Sequence, residues 1–81
     1  MNKDNSQKTN IVEIKEKSIE LYKILKFVNI VQSGGEAKFV IADGLVRVNG
    51  EVEIRKGKKI ISGDIIEFEK EKFQIFTPNS L

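Results

Sequence analysis

The chain has 81 residues, with 14 Lys and Arg, 12 Asp and Glu, and neither His nor Cys. This length allows one small domain, and a hydrophobic fraction of 40% is enough for a globular fold rather than a disordered chain. The lack of Cys excludes disulfides, thiolate catalysis and zinc–thiolate sites. The lack of His removes the commonest general base and metal ligand.

Charge is distributed unevenly along the chain, although the net charge is only +2. Residues 37–63 contain six basic and three acidic side chains, whereas residues 64–81 contain two basic and four acidic ones. A basic middle segment indicates an anionic partner. The first residues lack the apolar stretch of a signal peptide, and no apolar run is long enough to span a bilayer. We therefore expect a cytoplasmic protein without a membrane partner.

The N-terminal third predicts a tail, a strand and a helix. Residues 1–10 are polar after Met1 and show no periodicity, which is typical of a flexible tail. Residues 11–15 are apolar-rich and predict a short strand. A helix is predicted over about 19–29 with Ser18 as its N-cap. Its apolar face consists of Leu21, Ile24, Leu25 and Val28.

A second helix is predicted over about 34–43. Ser33 and Glu36 fit the capping box S-x-x-E, in which the serine hydroxyl accepts from the Glu36 N–H and the carboxylate accepts from the Ser33 N–H. Gly44 suits the left-handed position that closes a helix. The apolar face of this helix consists of Ala37, Val40 and Ile41.

The dipeptide Asn49-Gly50 lies between two alternating apolar segments and predicts a β-hairpin. A two-residue loop would set Val48 opposite Glu51. A three-residue loop would set Val48 opposite Val52 and place the apolar side chains of both strands on one face. We therefore expect the three-residue loop, with a bulge.

The remaining chain predicts short strands separated by polar turns. Residues 55–59, with the sequence Arg-Lys-Gly-Lys-Lys, form a charged loop. Strands are expected at 60–61 and 65–68, and a last strand is expected around Phe73, Ile75 and Phe76, after a turn at 70–72. Residues 77–81 are expected to fray.

Several motifs together resemble the S4 family of RNA-binding domains, and most closely its small stand-alone bacterial members. They are Ser33-Gly34-Gly35-Glu36-Ala37-Lys38, Gly44, Val46, Val48-Asn49-Gly50 and Gly63-Asp64-Ile65-Ile66. The resemblance covers residues 11–76. It implies an α+β fold, a compact S4-like (αL) domain with two short helices packed on a small, mostly antiparallel sheet.

The resemblance also implies a partner, which is structured RNA. Ribosomal RNA, tRNA or a ribosome-assembly intermediate are the targets that the family suggests, bound by a monomer without a cofactor. Many S4 domains carry an arginine directly after the capping serine, where this chain has Gly34. That side-chain contact to phosphate is absent here.

The start of the second helix is one candidate RNA site. Free N–H groups converge at Ser33, Gly34 and Gly35, and glycines allow a phosphate to approach the backbone closely. Lys38 adds a positive charge within the first turns. The alternative is a capped helix start without a ligand, because the Glu36 carboxylate already faces the helix dipole and repels phosphate.

The charged loop is the stronger candidate, since lysine and arginine neutralise backbone phosphates and dominate sequence-independent affinity for nucleic acids. Gly57 lets the loop bend along a phosphate strand. The alternative is a solvated turn that protects an edge strand from pairing. The four cations are Arg55, Lys56, Lys58 and Lys59.

Three further side chains have more than one interpretation. Arg47 either extends the basic surface or pairs with Glu51 or Glu53. Asn49 is first a turn residue, because asparagine tolerates positive φ, and second an RNA contact. Phe39 lies off the apolar face of its helix, so it either packs against another element, which we favour, or offers a surface for base stacking.

Enzyme chemistry is not indicated. The sequence shows no nucleophile beside a base, no metal-ligand spacing and no phosphate-binding P-loop, so no metal or cofactor is expected. We therefore expect a small stand-alone RNA-binding protein. The alternative is a protein-interaction adaptor, or a DNA-binding protein, on the same fold.

Overall fold

The structure is a computed structural model that describes residues 9–78. It confirms the α+β class, with two helices and a mostly antiparallel sheet. In chain order the elements are β1 (Thr9–Glu13), β2 (Ser18–Glu20), α1 (Leu21–Phe27), α2 (Gly34–Ala42), β3 (Val46–Val48), β4 (Glu51–Val52), β5 (Lys59–Ile61), β6 (Ile65–Phe68) and β7 (Glu71–Phe76).

Five strands form the main sheet in the order β1-β7-β6-β3-β4, and β2 pairs with β5 in a separate two-stranded ribbon. Every pair is antiparallel except β1 with β7. Alternate side chains of the sheet are buried, as expected for a sheet with one face toward the core. The buried ones are Val12, Val46, Val48, Ile66, Phe68, Phe73 and Ile75.

The helices supply the other side of the core, and their buried side chains confirm the predicted apolar faces. They are Leu21, Ile24 and Leu25 of α1 and Ala37, Val40 and Ile41 of α2. Within residues 9–78 no polar or charged side chain is buried. The charged groups of the described chain are therefore available at the surface.

The predicted N-cap of the first helix is wrong. Ser18 belongs to β2, where it pairs with Ile61, and α1 begins only at Leu21. Glu20 precedes the helix without a side-chain capping hydrogen bond. The free N–H groups of the helix start are satisfied from elsewhere in the chain, by carbonyls of residues 56 and 58.

The predicted capping of α2 is half correct. The Ser33 hydroxyl accepts from the Glu36 N–H at 3.0 Å, as predicted. The Glu36 carboxylate accepts from the Gln32 N–H at 2.9 Å, however, and not from Ser33. Gly44 has φ +79° and closes the helix as predicted, donating its N–H to the Ile41 carbonyl at 3.0 Å.

The predicted three-residue hairpin loop is also wrong. Val48 pairs with Glu51 and Arg47 with Val52, so Asn49 and Gly50 alone form the loop. Both have positive φ, 54° and 89°, as in the type I′ turn whose twist matches that of the strands. The turn geometry overrides the apolar pattern, and Val52 is left 49% exposed.

The Asn49 side chain joins the hairpin to the turn before β6. Its amide oxygen accepts from the Ile65 N–H at 2.9 Å, and its amide nitrogen donates to the Asp64 carboxylate at 3.0 Å. Its backbone N–H also donates to the Ile65 carbonyl at 2.7 Å. The turn at V-N-G and the turn at G-D are therefore joined by hydrogen bonds.

The ends of the described chain are tied to the fold. Thr9 and Asn10, placed in the tail by sequence, belong to β1, while residues 1–8 of that predicted tail lie outside the described residues. Thr77 donates its N–H to the Ser62 hydroxyl at 3.1 Å and its hydroxyl to the Glu16 carbonyl at 3.3 Å. The rest of the predicted frayed end, residues 79–81, also lies outside the described range.

Replacing Asn49 by glycine tests the bond between the two turns. Asn49→Gly keeps the tolerance of positive φ and removes two side-chain hydrogen bonds, so we expect the free energy of unfolding to fall by about 1–3 kcal/mol. Chemical denaturation measures this change.

The matched control is Asn29→Gly. Asn29 also has positive φ, 63°, and its side chain makes no hydrogen bond within residues 9–78. We expect its effect to stay within about 0.5 kcal/mol. Equal losses in the two variants would contradict the assigned role of the Asn49 amide.

Candidate nucleic-acid interface

Residues 55–59, called the basic loop below, lie against the start of α1. The Leu21 N–H donates to the Lys58 carbonyl at 2.9 Å, and the Tyr22 N–H donates to the Lys56 carbonyl at 3.1 Å. Within the loop, the Lys58 N–H donates to the Arg55 carbonyl at 3.1 Å. The loop backbone is therefore fixed, whereas Lys56 and Lys59 are exposed and Lys58 is half-buried.

Tyr22 connects the basic loop to the second helix. The Lys38 ammonium of α2 lies 4.9 Å from the centroid of the Tyr22 ring, a distance that fits a cation–π interaction. The backbone N–H of the same tyrosine is bonded to Lys56. Lys38 and the backbone of the basic loop, which are about twenty residues apart in the sequence, therefore both contact Tyr22.

Arg55 is held by Glu53, an acidic residue just before the basic loop. Its Nε lies 2.8 Å from Glu53 Oε2 and its Nη2 3.1 Å from Oε1, so the guanidinium binds the carboxylate through two nitrogens. These side-chain hydrogen bonds, with the Arg55 backbone N–H, lower the pKa of Glu53 to about 2. The same pair raises the pKa of Arg55.

Lys59 is also balanced by an acid, because its ammonium lies 3.7 Å from the Glu20 carboxylate, which Lys23 approaches to 3.4 Å. A backbone hydrogen bond and these two lysines lower the pKa of Glu20. By contrast, no carboxylate lies within 4 Å of the Lys56 or Lys58 ammonium among the residues that the structure describes. Lys58 still acts on the Glu53 carboxylate at longer range, since its charge contributes to lowering the Glu53 pKa.

The backbone at the start of α2, from Ser33 to Gly35, is not covered by other groups. A Cβ on Gly34 would have no heavy atom within 4 Å, and one on Gly35 would meet only the Ser33 hydroxyl at 3.8 Å. Glu36 stands in the first turn and Ser33 accepts from its N–H. The predicted opening is therefore present, with the predicted carboxylate beside it.

Arg47 forms neither of the ion pairs considered for it. Its Nη1 donates to the Gly50 carbonyl at 3.0 Å, and Glu53 binds Arg55 instead. Asn49 is a turn residue, as expected first, and its side chain is bonded to Asp64 and Ile65. Both side chains stabilise the hairpin turn, and some of their N–H groups make no hydrogen bond within residues 9–78.

A shallow cavity of about 350 Å³ lies between the hairpin and the basic loop. It brings Asn49, Arg55 and Lys58 together, but Arg47 is not among the described residues that line it. The structure thus places Lys38 at the Tyr22 ring and Lys59 at Glu20, with the backbone of Lys56 and Lys58 bonded to the start of α1. Arg47 stays with the hairpin turn.

No role at this surface was predicted for Tyr22 from the sequence, although its ring contacts Lys38 and its backbone N–H is bonded to the basic loop. Tyr22 is also half-buried and packs against the core. The packing favoured for Phe39 is wrong, because its side chain is 66% exposed, and Phe27 is 61% exposed as well. The positions of both phenylalanines off the apolar faces of their helices were the available signal.

No helix within residues 9–78 is long and apolar enough to cross a membrane. Over the same range, no cluster of three or more potential metal-ligating side chains is present.

The family model of the S4 domain matches residues 12–76 of the chain. The chain therefore belongs to the S4 domain family, and its fold confirms the resemblance seen in the sequence motifs.

Two bacterial relatives cover most of the described chain. A protein of Bacillus subtilis (strain 168), named "Probable ribosome maturation protein RlbA", is 38% identical over 60 residues, which are 74% of this chain and 84% of that protein. A protein of Escherichia coli (strain K12), named "Putative RNA-binding protein YbcJ", is 40% identical over 57 residues, which are 70% of this chain and 81% of that protein.

Two solved structures share the fold. The solution structure of YbcJ from E. coli, described as revealing an αL motif involved in RNA binding, has a TM-score of 0.64 and 33% identity, over 94% of this chain and 95% of that one. The crystal structure of ribosomal protein S4e from Thermoplasma acidophilum has a TM-score of 0.63 and 28% identity. That match covers 74% of this chain but only 32% of S4e.

The ion pair between Arg55 and Glu53 predicts a defined pH dependence. A carboxyl whose pKa is lowered on folding stabilises the fold at pH values above its unfolded pKa, and that contribution disappears as the pH falls toward its folded pKa. For Glu53 the window runs from 4.5 down to about 2. We expect the stability difference between the wild type and Glu53→Gln to be largest above pH 5 and to shrink across this window.

Carboxyl titration by NMR measures the pKa of Glu53 directly. We expect a midpoint near 2 in the wild type and a return toward 4.5 in Arg55→Gln, which removes the guanidinium. An ordinary midpoint in the wild type would contradict the bidentate contact.

Proposed function

We propose that this chain binds structured RNA through Lys38, the basic loop and the open start of α2. The observation that carries the proposal is that Lys38 and the basic loop meet at Tyr22, although they come from separate parts of the chain. The names of two bacterial relatives, one RNA-binding and one concerned with ribosome maturation, support the same class of ligand.

Backbone phosphates are the part of the RNA that this surface suits best. An RNA helix displays phosphates and 2′-hydroxyls across a wide, shallow minor groove, which a small domain can contact without entering a deep groove. Lys56 and Lys58 form no ion pair within 4 Å with a carboxylate of residues 9–78. Because the loop backbone is hydrogen-bonded to α1, less ordering entropy is lost when these lysines bind.

The other predicted site residues have secondary roles in this proposal. Arg55 and Lys59 contribute charge that is partly offset by Glu53 and Glu20. Arg47 and Asn49 contact RNA only through the N–H groups that the hairpin turn leaves unused.

We propose ribosomal RNA or a ribosome-assembly intermediate as the target, with tRNA as a further candidate of the same chemistry. The similarity to a ribosome maturation protein and to part of a ribosomal protein supports this order. In this proposal the chain acts as a monomer that binds its RNA without transforming it.

Reversing the two unpaired loop charges tests the surface. We expect Lys56→Glu with Lys58→Glu to weaken binding to a structured RNA about 10- to 100-fold at moderate salt. The slope of log affinity against log salt should also become shallower by about 1.4–1.8, because each of the two lost phosphate contacts contributes about 0.7–0.9. Fluorescence anisotropy over a salt series measures both quantities.

The charge-matched control is Lys26→Glu with Lys70→Glu. These lysines lie in the last turn of α1 and in the turn between β6 and β7, away from the basic loop. The control should lose much less affinity than the loop variant. Equal losses would show that net charge, and not this surface, governs binding.

Competition experiments separate the proposal from its alternatives. Structured RNA should displace the labelled RNA, and duplex DNA of matched sequence should do so more weakly. Equal competition by DNA would contradict a preference for RNA. Undetectable binding to ribosomal RNA and tRNA at low salt would favour the protein-interaction alternative.

A further inference from the structure

The Glu20 carboxylate holds two lysines that come from different elements. It lies 3.4 Å from the Lys23 ammonium and 3.7 Å from the Lys59 ammonium. Both contacts follow from local structure, because Glu20 pairs with Lys59 in the ribbon of β2 and β5, and Lys23 follows three residues later in α1. One carboxylate balances only one of two ammonium groups, so these three side chains together remain positive.

The Tyr22 ring brings a third lysine to the same place. The Lys23 ammonium lies 5.9 Å from the centroid of the ring and the Lys38 ammonium lies 4.9 Å from it. Both distances are within the range of a cation–π interaction. The two ammonium groups are therefore no farther apart than these two distances together. Lys23, Lys38 and Lys59 are called the lysine cluster below.

The helical neighbours of the lysine cluster carry no acid. Residues three and four apart are neighbours on a helix. Lys38 has two glycines one turn before it and two apolar residues one turn after it, and α1 contains no acidic residue. Within residues 9–78, Glu20 is the only carboxylate less than 4 Å from an ammonium of the cluster. The cluster therefore favours an anionic ligand.

Solvent reaches these side chains, and their ion pairs leave donors for a ligand. The side chain of Lys23 is 51% exposed and that of Lys59 is 66% exposed, whereas that of Glu20 is 30% exposed. A lysine ammonium has three N–H donors, so an ion pair with one carboxylate does not use them all. A phosphate can therefore bind beside Glu20, although the negative charge of Glu20 repels it.

We propose that Lys23 is a further RNA contact and that Glu20 limits the affinity by competing with phosphate for Lys23 and Lys59. This inference rests on the proposed function and extends its surface onto α1. The extension is continuous, because Lys59 belongs to the basic loop and Lys38 shares the Tyr22 ring with Lys23. An RNA strand held by Lys38 and the basic loop then passes Lys23.

A purely structural role of the same ion pairs makes different predictions. In that case Glu20 only fastens the ribbon to the start of α1, and exposed pairs of this kind add little to stability. Changes at Lys23 or Glu20 would then leave the affinity for RNA and its salt dependence unchanged. The salt dependence is the readout that separates the two roles.

Lys23→Gln tests the contact. We expect about three- to tenfold weaker binding to a structured RNA at moderate salt, and a slope of log affinity against log salt that is shallower by about 0.7–0.9. Lys26→Gln is the matched control, because it removes the same charge from the same helix without a described contact to Tyr22 or Glu20. It should change both quantities far less. Fluorescence anisotropy over a salt series measures them.

Glu20→Gln tests the competition, because it removes the charge and keeps the shape of the side chain. We expect RNA affinity to rise about two- to threefold, the effect of one screened charge at this range. Adding Lys23→Gln to this variant should cost more affinity than it costs the wild type, since the lysine is no longer shared with a carboxylate. Circular dichroism of each variant establishes that the helices are retained.

An NMR titration locates the contact without a substitution. The ε-methylene signals of Lys23 should shift as RNA is added, whereas those of Lys26 should not. Equal shifts of the two lysines would contradict a contact specific to Lys23.

The inference and the proposed function fail in different ways. If Lys23→Gln and Lys26→Gln bind RNA with the same affinity and salt slope, the contact is overturned, while the loop-charge variants still decide the proposed function. If Glu20→Gln binds RNA no better than the wild type, the competition is overturned. If the wild type binds no structured RNA, both proposals fall.

Discussion

The hydrogen bonds between the start of α1 and the basic loop are the interaction on which the candidate site depends. The Leu21 and Tyr22 N–H groups would otherwise lack partners, because α1 has no capping side chain. They are satisfied by two carbonyls of the basic loop, at 2.9 and 3.1 Å. Each such bond contributes only about 0.5–1.5 kcal/mol net, but leaving the donors unpaired would cost more. The need of these helix N–H groups for hydrogen-bond partners therefore fixes the backbone that carries the cations.

The same contact explains what could and could not be predicted from the sequence. Patterns within about ten residues were sufficient for α2, since Ser33, Glu36 and Gly44 act on their own helix. The cap of α1 could not be found in that way, because its hydrogen-bond partners lie more than thirty residues further along the chain. Ser18 resembled a cap locally, but pairing with β5 draws it into a strand.

The hairpin shows a different limit, a conflict between two local signals. The apolar pattern favoured a register that buries Val52, whereas Asn49-Gly50 favours the two-residue turn with positive φ at both positions. The two-residue turn prevails in the structure, and the side chain of its Asn49 is also bonded to Asp64 and Ile65. The cations of the site were predicted as residues, but the contacts of Lys38 and of the basic-loop backbone with Tyr22 needed the tertiary structure.

Acidic side chains reduce the positive charge at the two ends of the basic loop and leave the cations between them unpaired. Glu53 and Glu20 hold Arg55 and Lys59, the two ends of the basic loop, while Lys56 and Lys58 have no described carboxylate partner. Pairing at the ends limits the motion of the loop, and the free charges remain in its middle, where a phosphate strand would lie. A domain with a net charge of only +2 can therefore present a locally strong positive surface. Position along the folded surface, and not overall charge, determines where this chain would attract a polyanion.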